Sequence, residues 1–300
     1  MSRKEADPNK KKTGGNVASI GRWIGMIVCT VVVGLIFVQI LSAIVGNIPA
    51  FADGAFLAPE KELVDGLIAF DGLFIAFAVS LRLICKTTLR DFMFGAGRKL
   101  DIKETLIVGG IFAICFVLGA LLDIKYTAYD YPDMKLWFVN FAICLLFLWV
   151  QTSTEEVIFR GLFLRIPFGN EIPPIKKGMI SAVISSLLFM LGHLSNPEVT
   201  SRSGIDAVFM ASSYFISGLC MFIPNLYMGG MEAGLIIHFV NNFLCFTLIK
   251  QEITVMTTPT LFVDHIPAMS GLGTFVNTVI TYVPIVVYVI YKKKKSELKK

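Results

Sequence analysis

The chain is short of charge, and the charge it has is unevenly placed. Only 16% of its 300 residues are Asp, Glu, Lys or Arg, against 55% hydrophobic, whereas soluble domains carry about 25% charged residues. That balance excludes an ordinary soluble globule. Histidine is scarcer still: there are three, so any imidazole chemistry rests on His193, His238 or His265. The six cysteines (Cys29, Cys85, Cys115, Cys144, Cys220 and Cys245) form no CxxC pair and fall in or beside apolar runs. They read as small buried hydrophobes, which excludes a disulfide framework and a cysteine zinc cluster. The chain also lacks an HExxH motif, an internal repeat, a low-complexity segment and a second domain.

What it has instead is apolar blocks long enough to cross a bilayer. Hydropathy predicts eight spans, at about 20–45, 63–84, 105–122, 136 into the 155–156 region, 179–194, 207–223, 233–249 and 272–291. The expected fold is an all-α polytopic membrane helix bundle with about eight transmembrane helices. It forms one domain over 20–291, between a disordered tail at 1–19 and a basic tail at 292–300. The first span is too long for a signal h-region and has no small-residue cleavage site, so it is expected to be retained.

Loop charge orients the bundle. Arg82, Lys86, Arg90, Arg98, Lys99 and Lys103 crowd the connection after the second span, and Arg160, Arg165, Lys176 and Lys177 surround the one after the fourth. The first and third connections are acidic instead, with Asp53, Glu60, Glu62 and Asp65, then Asp123, Asp130 and Asp133. The positive-inside rule places both termini on the cytoplasmic side. The net charge of +5 sits largely in Lys10-Lys11-Lys12 and in Lys292 to Lys295. Both runs abut spans, where they suit anionic lipid rather than nucleic acid. The sixth connection, expected at 224–232, is short and nearly uncharged.

Three places set polar groups inside this apolar chain. Glu155, Glu156 and Arg160 put three charges within six residues; facing lipid they would cost on the order of 8–10 kcal/mol together. They must face protein or a wet cavity. Glu156 and Arg160 are four apart and can pair on one helix face, leaving Glu155 about 100° away. Phe189 and His193 lie on the fifth span. His238 and Asn242 lie one turn apart on the seventh. At 1.5 Å per residue, Glu155 is about 17 Å inward from 166, His193 about 22 Å from 178 and Asn242 about 15 Å from 232. The glutamates therefore belong to the membrane, on a helix of roughly thirty residues. Glu, His, His and Asn at one depth suit amide hydrolysis: a buried glutamate as general base, a histidine sharing its proton, and a His–Asn pair donating to an oxyanion. His265, beside Asp264, reads as an ordinary loop histidine.

At these residues the chain resembles the CAAX protease and bacteriocin-processing (Abi) group of intramembrane proteases. The pattern EExxxR, FxxxH, HxxxN appears as Glu155-Glu156-xxx-Arg160, Phe189-xxx-His193 and His238-xxx-Asn242, over about 136–249. The resemblance implies an eight-helix endopeptidase with a cavity open to the cytoplasmic side, acting on a membrane-associated peptide or protein. It implies Glu155 as the water-activating base, His193 as its assistant, and His238 and Asn242 as oxyanion donors, with Glu156, Arg160 and Phe189 in support. A metal-free glutamate mechanism is expected; zinc held by Glu155, His193 and His238 is the alternative. A non-catalytic scaffold or immunity partner has no need of this costly polar set. A transporter would predict paired halves with broken helices, which the sequence lacks.

Overall fold

The computed structural model describes residues 20–48, 58–122, 124, 127–165, 173–255, 258–264 and 271–298. The expected tail at 1–19 and His265 lie outside them. Among the described residues ten helices follow one another: α1 (Ile20–Gly46), α2 (Ala58–Ile84), α3 (Leu89–Phe94), α4 (Ile102–Leu122), α5 (Met134–Arg165), α6 (Ile175–Gly192), α7 (Pro197–Thr200), α8 (Gly204–Met228), α9 (Glu232–Thr247) and α10 (Gly271–Glu297). Seven of them are long and apolar enough to cross a membrane. Ile24, Val28, Leu35, Leu106, Leu121 and Leu146 are among the many large apolar side chains turned outward, as a lipid-facing surface requires. The chain is an all-α polytopic bundle.

The eighth crossing is unlike the others. Helix α9 has 16 residues, a rise of about 24 Å against a hydrocarbon core of about 30 Å. It packs between α4, α5 and α8, so its polar residues meet protein instead of lipid.

Close helix approach needs small residues, because lipid tails give no hydrophobic drive to association. At the α1–α2 contact, a Cβ on Gly72 would lie 2.6 Å from Val38 Cγ2 and 2.9 Å from Val38 N. Helix α5 opens on Asp133, whose side chain accepts from the amides of Lys135 (2.8 Å) and Leu136 (3.4 Å). It then runs 32 residues to Arg165, close to the thirty read from the motif depths. Between Glu156 and Gly161 it loosens into a π turn, a form concentrated at functional sites.

Several helix ends differ from their sequence boundaries. The sixth span continues through Pro224 to Met228, and left-handed Gly229 (φ 82°) ends it, leaving a connection of only three residues to α9. Pro224 lies inside the helix in buried surroundings, and beside it Asn225 Oδ1 accepts the Gly234 amide at 2.8 Å. Helix α6 stops at Gly192, so His193 caps the fifth span and is not inside it. The basic run Lys292 to Lys295 is the last turns of α10, and Lys292 pairs with Glu104 of α4.

A feature with no periodic signal lies at one end of the bundle. Strands β1 (Thr127–Tyr129), β2 (Ile249–Gln251) and β3 (Phe262–Asp264) form a sheet in the order β1-β3-β2. Strand β3 runs antiparallel to β1 (Thr127 opposite Asp264) and parallel to β2 (Ile249 opposite Phe262). Trp137 Nε1 and Asn140 Nδ2, both on α5, donate to the carbonyls of Thr247 and Phe246 at 2.8 Å each. These bonds tie the start of α5 to the end of α9, beneath the sheet.

Candidate active site

The long helix α5 brings the first motif to mid-bundle, and the π turn sorts its charges. Glu156 and Arg160 are fully buried and paired, Oε1 to Nη1 at 3.2 Å. The Arg160 guanidinium lies 3.9 Å above the Phe189 ring, a cation–π contact in a desolvated place. Removing one partner of such a buried pair costs about 3–5 kcal/mol, because the other charge is stranded. Phe189 also meets Phe159 edge-on at 5.3 Å and His238 at 6.0 Å, centroid to centroid. Its ring is the shared floor under the two motif histidines and the arginine.

His238 joins the two glutamates. Its Nδ1 is 2.8 Å from Glu156 Oε1, and its Nε2 is 3.6 Å from Glu155 Oε2. An ionised carboxylate can only accept, so the Glu156 contact assigns a proton to Nδ1. Nε2 is then left facing Glu155 at 3.6 Å, two acceptors that a proton shared between them would bridge. Sequence reasoning set His238 beside Asn242 for an oxyanion; its nearest partners are instead the carboxylates.

Glu155 is held from the other side by a residue that the motifs do not include. Gln151 Nε2 donates to Glu155 Oε1 at 2.5 Å, Asn242 Nδ2 donates to Gln151 Oε1 at 3.1 Å, and Asn241 Nδ2 donates to Asn242 Oδ1 at 2.9 Å. Gln151 therefore orients Glu155 through one half of its amide and Asn242 through the other. One signal was available: it is a polar residue one turn ahead of Glu155, at a spacing that favours contact.

His193, at the end of α6, faces the same space with a separate support. Its Nδ1 is 2.7 Å from the Phe189 carbonyl, which fixes the proton there and leaves Nε2 as the basic nitrogen. Its ring stacks on Tyr214 at 4.5 Å and 28°. Tyr214 donates to the Glu198 carboxylate and accepts from Asn196 Nδ2 at 3.1 Å. Neither Tyr214 nor Glu198 was legible as a site residue, because α7 and α8 carry no motif.

Gly234 makes the lower layer fit. A Cβ there would lie 2.7 Å from both Glu156 Oε2 and Asn225 Nδ2, and 3.1 Å from the Met221 carbonyl. Above this layer Glu155, Gln151, His193, Tyr214, His238 and Asn242 line one cavity of 610 Å³. All four expected catalytic residues thus face a common space, while Glu156 and Arg160 are packed beneath it. The cavity runs from Phe159 and Tyr282 at its deep end to Ile249, Gln251 and Val255 beside the sheet. Its exposed lining at Val255 lies at the sheet end, away from the lysine- and arginine-rich end.

A metal would need its ligands gathered. Among the described residues no three His, Cys, Asp or Glu side chains form such a group. Glu155, His193 and His238 share the cavity but are not arranged as a ligand set, and no step below is routed through an ion.

Residues 136–244 match the family model of the Rce1-like type II CAAX prenyl endopeptidases. The chain is also similar to the uncharacterized protein YyaK of Bacillus subtilis (strain 168), with 30% identity over 122 residues. That match covers 40% of this chain and 38% of the relative. No solved structure matches the chain. The matched segment runs from the start of α5 nearly to the end of α9 and holds all three motifs. The resemblance to the CAAX protease group is thus shown over residues 136–244, as a similarity to its Rce1-like type II prenyl endopeptidases.

Proposed function

We propose that the chain is an intramembrane endopeptidase that hydrolyses a peptide bond of a membrane-associated peptide or protein without a metal. The observation that carries this reading is Glu155. It is a carboxylate held by Gln151 on one oxygen, facing His238 on the other, and open to the cavity. Its carboxylate takes a proton from a water as the water oxygen bonds to the scissile carbonyl carbon. The carbonyl π electrons move to oxygen, and the second Nδ2–H of Asn242 stabilises that oxyanion. When the C–N bond breaks, the proton held by Glu155 passes to the leaving nitrogen, with His193 Nε2 sharing the traffic. The products are a carboxylic acid and an amine, and Glu155 ends ionised as it began. The match to a family of prenyl endopeptidases supports the reaction class.

The test is to purify the wild type and Glu155→Gln and incubate both with a quenched peptide library. Metal content is measured in the same samples. Cleavage by the wild type and none by E155Q is expected, without stoichiometric metal. Equal cleavage by both proteins, or none by either, would sink the peptidase reading; stoichiometric zinc lost in His193→Ala would sink the metal-free part.

A further inference from the structure

The cavity has a blind end and a mouth, and the two ends of the bundle carry opposite charge. At the blind end the apolar cluster of Phe92, Val157, Leu164, Phe222, Leu226 and Met231 fills the space below the glutamates. Polar fasteners reinforce it: Arg98 pairs with Glu232 and donates to the Met228 carbonyl at 2.8 Å, and Arg165 Nε donates to the Phe92 carbonyl at 2.8 Å. At the other end Thr254 and Val255, just after β2, line the cavity, and Val255 is 48% exposed.

The helix order assigns each loop to an end. The connections α2–α4, α5–α6 and α8–α9 and the last turns of α10 share the blind end; the sheet and the connection α6–α8 share the mouth end. The blind end displays Lys86, Arg90, Lys99, Lys176, Lys177 and the run Lys292 to Lys295. Among the described residues the mouth end displays Asp130, Asp133, Asp206 and Glu252 beside only three cations, Lys135, Arg202 and Lys250, and two of those pair with acids there, Arg202 with Asp206 and Lys250 with Asp130. Short loops rich in Lys and Arg near span ends stay on the cytoplasmic side. This asymmetry is independent of the motifs.

We propose that the cavity mouth faces the extracytoplasmic side, so that the substrate is a peptide segment presented outside the membrane. Such a segment is a secreted peptide or the external flank of a membrane protein, and a lipid-anchored tail on the cytoplasmic surface cannot reach Glu155 by this route. The substrate class rests on the peptidase reading; the side of access rests on the cavity and the charges alone.

Membrane-impermeant thiol labelling of the full chain in intact expressing cells tests this. Val255→Cys marks the mouth and Lys99→Cys the blind end, both exposed positions. Each is compared with the wild type, whose native cysteines set the background. Ile253→Cys, also exposed beside the mouth, replaces V255C if that variant does not accumulate. Label above background at V255C or I253C in intact cells, with K99C labelled only after the cells are opened, is the expected result. Label on K99C in intact cells, or at the mouth only after opening, overturns the proposal. Hydrolysis plays no part in the readout. A reversed orientation therefore leaves the peptidase reading standing, and a correctly oriented protein that cleaves nothing loses that reading alone.

Discussion

At the residue scale the site turns on how one carboxylate is kept free while its neighbour is used up. Glu156 is committed to Arg160 and His238; Glu155 has a neutral amide on one side and the cavity on the other. Gln151 therefore sets where the base points, and through Asn242 it also sets the oxyanion donor. Replacing Gln151 with Leu keeps the size but removes both bonds. A hydrogen bond to a charged group contributes about 1.5–3 kcal/mol, so kcat should fall about tenfold to a hundredfold with KM little changed. Steady-state kinetics on a cleaved library peptide measure it, with Gln151→Asn as a variant that keeps the amide but shortens its reach. A loss confined to KM would mean that Gln151 contacts substrate instead of positioning Glu155. The division between the two glutamates was legible from spacing, because a charge pair four apart in an apolar run has few other ways to be satisfied. Gln151 was not, since one amide among apolar residues has no partner until α9 is folded against α5.

At the element scale, the π turn of α5 and the short helix α9 make one polar layer between them, and glycine at 234 lets them touch. A methyl at this position would press on Glu156, Asn225 and the Met221 carbonyl together. The last of these is backbone and cannot swing away. Overpacking of this kind costs about 1–3 kcal/mol, so Gly234→Ala should lower the thermal midpoint in detergent and reduce cleavage as well. An unchanged midpoint would show that α8 and α9 can part at no cost. The helices themselves were legible from hydropathy, but their ends were not. Pro224 looked like a stop, yet the helix runs about one further turn past it to Met228. His193 looked like a residue within a span, and only the packing of Tyr214 against its ring accounts for its place at a helix end. Three-residue strands show no alternation that a sequence could reveal.

At the scale of the whole molecule, the motifs sit in the half of the bundle that ends in the sheet, and this makes the protein a cup, not a channel. The depths read from sequence put Glu155 about 17 Å and Asn242 about 15 Å from the basic end of a core about 30 Å thick, close to its middle. The direction of opening could not be read from them, because it depends on the apolar plug of Phe92, Phe222 and Met231, whose residues come from three separate segments. A cup must admit substrate and release product through one mouth. Attaching a bulky maleimide at Val255→Cys in detergent, where both faces are open to reagent, should therefore abolish cleavage. The same reagent at Lys99→Cys should leave the rate unchanged, and the wild type treated alike corrects for its native thiols. Full activity after stoichiometric modification of V255C would mean that peptide reaches Glu155 by another path, between the helices and from the lipid, and the cup would then have a side door.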